Sequence, residues 1–232
     1  MLEEIKNVIL DVLFPPICLT CGKNLTKNDK YKLICYKCLD SIPLYDSLFC
    51  SVCLRRSPNE NKCHPQSQYW LAPACNYDNE AVKKLIWQFK YENWIGMAEP
   101  IVEILVNYLK KTGLSFDNFS LMSIPLHKRR EFKRGFNQCA VLANHINKAL
   151  GLEIIKNNLV KIKHTDNQAD LKDYKAREEN IKDSFFVNNP ESLRGKNILL
   201  IDDVYTSGAT LNEATRVLKA SGVKKILALG IA

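Results

Sequence analysis

No stretch of this 232-residue chain stays apolar for the roughly 18–20 residues that a membrane span needs. The start, Met1-Leu2-Glu3-Glu4-Ile5-Lys6, is acidic and lacks the basic opening of a secretion signal, so a cytoplasmic location is expected. Neither Gly-x-x-x-x-Gly-Lys nor Gly-x-Gly-x-x-Gly occurs, which sets aside the commonest nucleotide-binding loops. Glycine and proline stand at nine each, with no low-complexity tract and no internal repeat, so fibrous and disordered classes are excluded as well. An excess of acid is also missing. Lys and Arg total 33 against 25 Asp and Glu, and the whole surplus lies beyond residue 80, where 24 cations meet 16 acids. A basic surface of this kind suits a polyanion.

Cysteine, by contrast, is abundant: nine in all, eight of them between residues 18 and 75. Without a secretion signal, that density points to metal rather than to a disulfide framework. Cys18-x-x-Cys21 and Cys35-x-x-Cys38 are two knuckles separated by thirteen residues, a spacing that brings four thiolates around one tetrahedral Zn²⁺. With every position filled by protein, the role is structural. Cys50-x-x-Cys53 begins a second set, followed by Cys63-His64, and either His64 or Cys75 is left to complete it. So small a module buries little surface, and the metal must supply the missing stability. Cys139 stands apart and reads as a small core residue.

The division expected from this pattern is a helix and cysteine-rich module over 1–75 and an α/β domain over 76–232. Leu2, Ile5, Val8, Ile9, Val12 and Leu13 have helical spacing, ended by Pro15-Pro16. Val82, Leu85, Ile86 and Phe89 trace one face of a further helix, and Ile101, Ile104, Leu105 and Tyr108 the face of the next. A strand is expected at 121–125, a helix over 136–150 closed by Gly151, short strands near 154–155 and 159–162, a strand at 197–201, a helix over 210–221 and a last strand over 225–231. The polar stretch 164–182 has no apolar face and reads as a mobile loop. Strands alternating with helices imply a parallel sheet flanked by helices.

The most informative segment is Asn197-Ile198-Leu199-Leu200-Ile201-Asp202-Asp203-Val204-Tyr205-Thr206-Ser207-Gly208-Ala209-Thr210. An apolar strand ends in two carboxylates, and a hydroxyl-rich turn leads into a helix. Ligands of parallel α/β sheets bind at the carboxyl ends of strands. A helix N-terminus offers unpaired N–H groups to a phosphate. Thr206, Ser207 and Thr210 add hydroxyls, Gly208 and Ala209 leave the backbone open, and Asp202 and Asp203 are placed to accept from ribose hydroxyls. Lys128, Arg129, Arg130, Lys133 and Arg134 then put five cations into seven residues, with His127 at their foot. That cluster faces either a pyrophosphate or a nucleic-acid backbone, unless it is a solvated helix start; His127 has a packing role or a catalytic one. Trp87, Tyr91 and Trp94 lie beside Lys83, Lys84 and Lys90, as would suit stacking on unpaired bases, although burial against the cysteine module is the commoner fate of such rings.

The Asp-Asp segment resembles the phosphoribosyl pyrophosphate motif of type I phosphoribosyltransferases. Pro125-Leu126-His127-Lys128-Arg129-Arg130, then Arg134-Gly135-Phe136-Asn137-Gln138, the cysteine-rich head, and Gln168 with Arg177 and Asn180, are similar to the ComF/GntX competence family. The resemblance implies a type I phosphoribosyltransferase fold behind a zinc-finger head. It implies Asp202 and Asp203 on the ribose, Thr206 to Thr210 on the 5-phosphate, residues 126–128 on the pyrophosphate, and 164–182 as a closing hood. Mg²⁺ would arrive on the ligand's own oxygens. The family also implies handling of single-stranded DNA and contact with the DNA-uptake machinery. Two other readings stand beside this one: an active phosphoribosyltransferase of unidentified acceptor, and a zinc-bearing adaptor with a vestigial pocket.

Overall fold

The computed structural model describes residues 16–57, 63–91, 95–165 and 173–232. The helix expected over 1–14, Trp94, the side chain of Tyr91 and Gln168 lie outside what is described. In chain order the described elements are α1 (Tyr36–Asp40), β1 (Leu48–Cys50), β2 (Arg56–Ser57), β3 (Trp70–Pro73), α2 (Glu80–Tyr91), α3 (Ala98–Thr112), β4 (Phe119–Ser123), α4 (Lys128–Arg134), α5 (Gln138–Leu150), β5 (Leu159–Lys161), α6 (Tyr174–Ile181), β6 (Phe185–Val187), β7 (Asn197–Ile201), α7 (Ala209–Ala220) and β8 (Lys225–Gly230).

One sheet runs β2-β1-β3-β8-β7-β4. Strands β3, β8, β7 and β4 are parallel, whereas β1 joins β3 and β2 antiparallel, so the sheet is mixed. The parallel strands are continuous apolar runs because they are covered on both faces. Ile198, Leu199, Leu200 and Ile201 are fully buried, and so are Ile226, Leu227 and Leu229. The helices supply the cover through one stripe each: Val82, Leu85, Ile86 and Phe89 on α2, and Ile101, Ile104, Leu105 and Tyr108 on α3, all buried. Gly151 ends α5 in the left-handed conformation that its place after Leu150 anticipated.

The cysteine-rich head is built onto this body. Its strands β1 and β2 extend the common sheet, so the sheet crosses the boundary expected at residue 75. Lys30 and the Tyr31 hydroxyl both reach Glu103 of α3 at 2.6 Å, and the buried Tyr108 hydroxyl donates to the carbonyl of Ser47 at 2.9 Å. Part of the stretch 164–182 departs from expectation. Its second half forms α6, capped by the Asp173 side chain, which accepts from the amide of Ala176 at 2.7 Å. Lys, Ala, Arg and Glu are good helix formers. The helix shows no apolar periodicity because, among its described side chains, Ile181 at the end of a polar run is the buried apolar one.

Candidate functional site

The carboxyl end of β7 delivers Asp202 and Asp203 into the turn. The Asp202 amide still pairs with the carbonyl of Leu229 on β8 at 2.9 Å, so the first acid sits at the last rung of the sheet. The amide of Asp203 donates to Asp202 Oδ1 at 2.9 Å, and that of Val204 to Asp203 Oδ1 at 2.7 Å. Both acids are half-buried. Burial, and then the charge of Asp203, push the Asp202 carboxyl up to about 7. Two further groups hold the pair. The buried thiol of Cys139, on the first turn of α5, donates to Asp202 Oδ1 at 3.7 Å; burial and the two acids hold that thiol far above its usual range. Lys90, on the last turn of α2, meets Asp203 Oδ2 at 3.0 Å. Burial works against the charge of Lys90, but the two acids outweigh it and its pKa rises.

Beyond the acids, Asp202, Tyr205, Thr206, Ser207, Gly208, Ala209 and Thr210 line a small hollow at the head of α7. No side chain caps this helix, so its first-turn N–H groups are left to solvent or a ligand. Gly208 is required twice over. Its φ is +76°, and a Cβ there would lie 2.8 Å from the Tyr205 hydroxyl, whose ring folds over the turn. The first turn of α7 is also tied to the head. The Tyr69 hydroxyl donates to Asn212 Oδ1 at 2.8 Å; Ser67 Oγ donates to the Tyr69 carbonyl at 2.8 Å and lies 3.0 Å from Ser51 Oγ, inside the Cys50–Cys53 knuckle.

The basic segment forms α4. His127 caps it, with Nδ1 accepting from the amide of Arg129 at 3.3 Å, and its ring packs edge-on to His164 at 5.3 Å. Burial, then His164 and the neighbouring cations, lower the His127 pKa, which keeps the ring neutral and able to accept. The geometry thus gives His127 a capping role. Lys161, at the end of β5, feels the charge of both this arm and the acids. Burial and the charge of Arg130 pull its pKa down to about 8, while Asp202 pulls the other way. Arg134 donates to Gln138 Oε1 at 2.8 Å. The acids, the uncapped helix and the inner cations therefore gather at one end of the sheet.

Lys90 and Lys161 are the residues that motif reading missed. The sequence offers Lys90, with Lys83 and Lys84, either to a nucleic-acid surface or to a helix packed on the cysteine module, and the structure gives Lys90 a third place. It turns inward to Asp203, whereas Lys83 pairs with Asp78 and Glu80 and Lys84 reaches the Thr20 carbonyl of the head. The signal was available, since Lys90 follows Val82 and Ile86 at helical intervals on the buried face. Trp87 is 52% exposed rather than packed away. A larger cavity, about 640 Å³, opens elsewhere, between Ser51 and Val52 of the head, Glu178 and Glu179 of α6, and Asn212 and Glu213 of α7. Its three carboxylates outnumber Lys182 and Arg216 in the lining, which favours a phosphate less than the α7 turn does.

The cysteines assemble into two groups of four. Ligand atoms of Cys18, Cys21, Cys35 and Cys38 lie within 4.8 Å of one another, and so do those of Cys50, Cys53, Cys63 and His64. Cys21 and Cys35 sulfurs are 3.9 Å apart, Cys53 and Cys63 sulfurs 3.5 Å, and His64 Nδ1 is 3.6 Å from Cys50 Sγ. A zinc tetrahedron with Zn–S bonds near 2.3 Å has edges of about 3.8 Å, so both groups fit the ion. Burial opposes ionisation of Cys18 and Cys50, but amides of Cys21, Cys35 and Thr20 around Cys18, and the Cys53 and Val52 amides with the Cys63 and His64 side chains around Cys50, bring both thiols down to about 6. His64, not Cys75, completes the second group. The buried Cys75 donates to the carbonyl of Ile231 at 2.9 Å, and burial pushes its thiol up to about 12.

Comparison with known proteins agrees with both halves. Residues 137–229 match the phosphoribosyl transferase domain model, and residues 9–67 match the double zinc ribbon domain model. Competence protein F of Haemophilus influenzae is 27% identical, over 93% of this chain and 90% of its own length. Competence protein ComFC of Bacillus subtilis is 27% identical over 89% and 90%. DNA utilization protein YhgH of Escherichia coli is 26% identical over 90% and 87%.

Proposed function

For a chain homologous along nine-tenths of its length to Competence protein F, ComFC and YhgH, with a phosphoribosyl transferase domain behind a double zinc ribbon, we propose a cytoplasmic protein that binds a phosphoribosyl ligand of the phosphoribosyl pyrophosphate type and handles single-stranded DNA during its uptake. The observation that carries the first half is the carboxylate pair at the end of β7 beside the uncapped head of α7.

The roles follow from the chemistry. Thr206, Ser207 and Thr210, with the amides at the head of α7, take the 5-phosphate. Asp202 and Asp203 accept from the ribose hydroxyls, Asp203 sharing its carboxylate with Lys90. Arg130 and Lys161 face the pyrophosphate, where half-buried cations act with less screening than surface ones. Mg²⁺, brought on the ligand's oxygens, would offset its charge. The roles assigned to these groups are binding and orientation, and binding is the activity this reading rests on.

Titration calorimetry of the zinc-loaded protein with phosphoribosyl pyrophosphate and Mg²⁺ tests the pocket. Heat of binding is expected in the wild type and is lost in Asp202→Ala/Asp203→Ala. Silence in the wild type would favour an adaptor with a vestigial pocket.

A further inference from the structure

Helix α4 has no buried residue, and Phe132 at its centre is 92% exposed. That is the highest exposure of any large apolar side chain among the described residues. A phenyl ring left in water forgoes about 1.5–3 kcal/mol of burial, and the described fold makes no use of it. Its neighbours are not random. Lys128 and Arg129 lie four and three residues before it, one helical turn away on its own side, and Lys133 is adjacent. All three cations are exposed. The other two cations, Arg130 and Arg134, stand two positions before and after Phe132, on the opposite side of the helix, and are half-buried, with Arg134 donating to Gln138. The helix is thus divided lengthwise, with one side toward the sugar-phosphate pocket and one toward solvent.

We propose that the outward side of α4, formed by Lys128, Arg129, Phe132 and Lys133, is the platform for single-stranded nucleic acid, Phe132 stacking on an unpaired base while the three cations follow the phosphates. This assignment rests on the single-stranded DNA reading above and gives it a location. A ring set among cations fits a ligand that carries both an anionic backbone and flat π faces. A duplex has the charge but hides its faces, and an acidic peptide has the charge and no faces. One short helix then serves two ligands, so a strand on its outer side lies next to the pocket on its inner side.

The test uses the full, zinc-loaded chain and fluorescence anisotropy with three probes: a mixed-sequence oligodeoxynucleotide of about 12 nucleotides, within the range of known single-strand sites, an abasic sugar-phosphate strand of equal length, and the matching duplex. Phe132→Ala is expected to weaken oligonucleotide binding about 5- to 100-fold. It leaves the abasic strand bound as before and leaves the calorimetry with phosphoribosyl pyrophosphate unchanged. Phe132→Trp restores the loss. Replacing Lys128, Arg129 and Lys133 by Gln weakens both strands and flattens the slope of log affinity against log salt by about 2. The proposal is overturned if Phe132→Ala binds the oligonucleotide like wild type, or if it loses the abasic strand equally. It is also overturned if oligoglutamate competes as well as DNA, which would make the face a protein-docking surface. A wild type that binds none of the probes would instead bring down the DNA reading itself.

Discussion

Lys90→Met probes the electrostatics at the centre of the site. Lys90 and Asp203 meet at 3.0 Å with side chains 21% and 18% exposed. Exposed ion pairs contribute about 0–1 kcal/mol, and removing one partner of a fully buried pair costs about 3–5 kcal/mol. This pair lies between those limits, so a loss of about 2 kcal/mol is expected, or about 4–8 °C in Tm for a chain of this size. Met keeps the length of the side chain and its helix propensity, which leaves the charge as the main change. The sign of the pH dependence follows from Asp202. Its folded pKa is raised from 3.8 to about 7, so its contribution to stability is present in acid and is lost as pH rises through 7. Lys90 draws that pKa down. Without Lys90 it climbs further, and ionising the two acids side by side becomes costlier. The variant should therefore fall behind wild type more at pH 8 than at pH 6, where Asp202 is largely protonated in both. Urea unfolding at the two pH values, with zinc present, measures this. A loss of the same size at pH 6 and pH 8 would show that Lys90 acts through its stem, and no loss at all would refute the reasoning.

Gly208→Ala should cost about 1–3 kcal/mol, from the left-handed backbone and the contact with Tyr205, and should abolish pocket heat; differential scanning calorimetry and titration read the two effects. For the head, elemental analysis should give about two zinc ions per chain in wild type and about one in His64→Ala, the other group retaining its four thiolates; a wild-type value near one would remove the second group as a zinc site.

Local patterns were legible wherever a signal is short-range in the sequence. The apolar run 197–201 could be buried only as a parallel strand, and it is one. The stripe on α3 needed one covered face, and the knuckle spacing needed a tetrahedral ion. The Asp-Asp turn with its hydroxyls and glycine announced a strand end running into an open helix start, because N–H geometry at a helix start is a local property. The illegible parts depend on partners far away in the chain. Strand β3 is four residues long and exists because β8 pairs with it across more than 150 residues. Cys75 and His64 looked equivalent as fourth ligands until the sheet drew Cys75 into the core.

What the sequence by itself determined is therefore the inventory and its order: a cysteine-rich head with two ligand groups, parallel strands with flanking helices, an Asp-Asp turn at a helix start and a basic segment. Periodicity and spacing act over a few residues, and each imposes its own geometry. What only the tertiary structure decided is which charges meet. Lys90 meets Asp203 rather than solvent, Lys161 feels the opposing charges of Arg130 and Asp202, and α4 exposes Phe132 while half-burying Arg130 and Arg134. Electrostatic and hydrogen-bond energies depend on distance and burial in space, and neither quantity can be read from position along the chain.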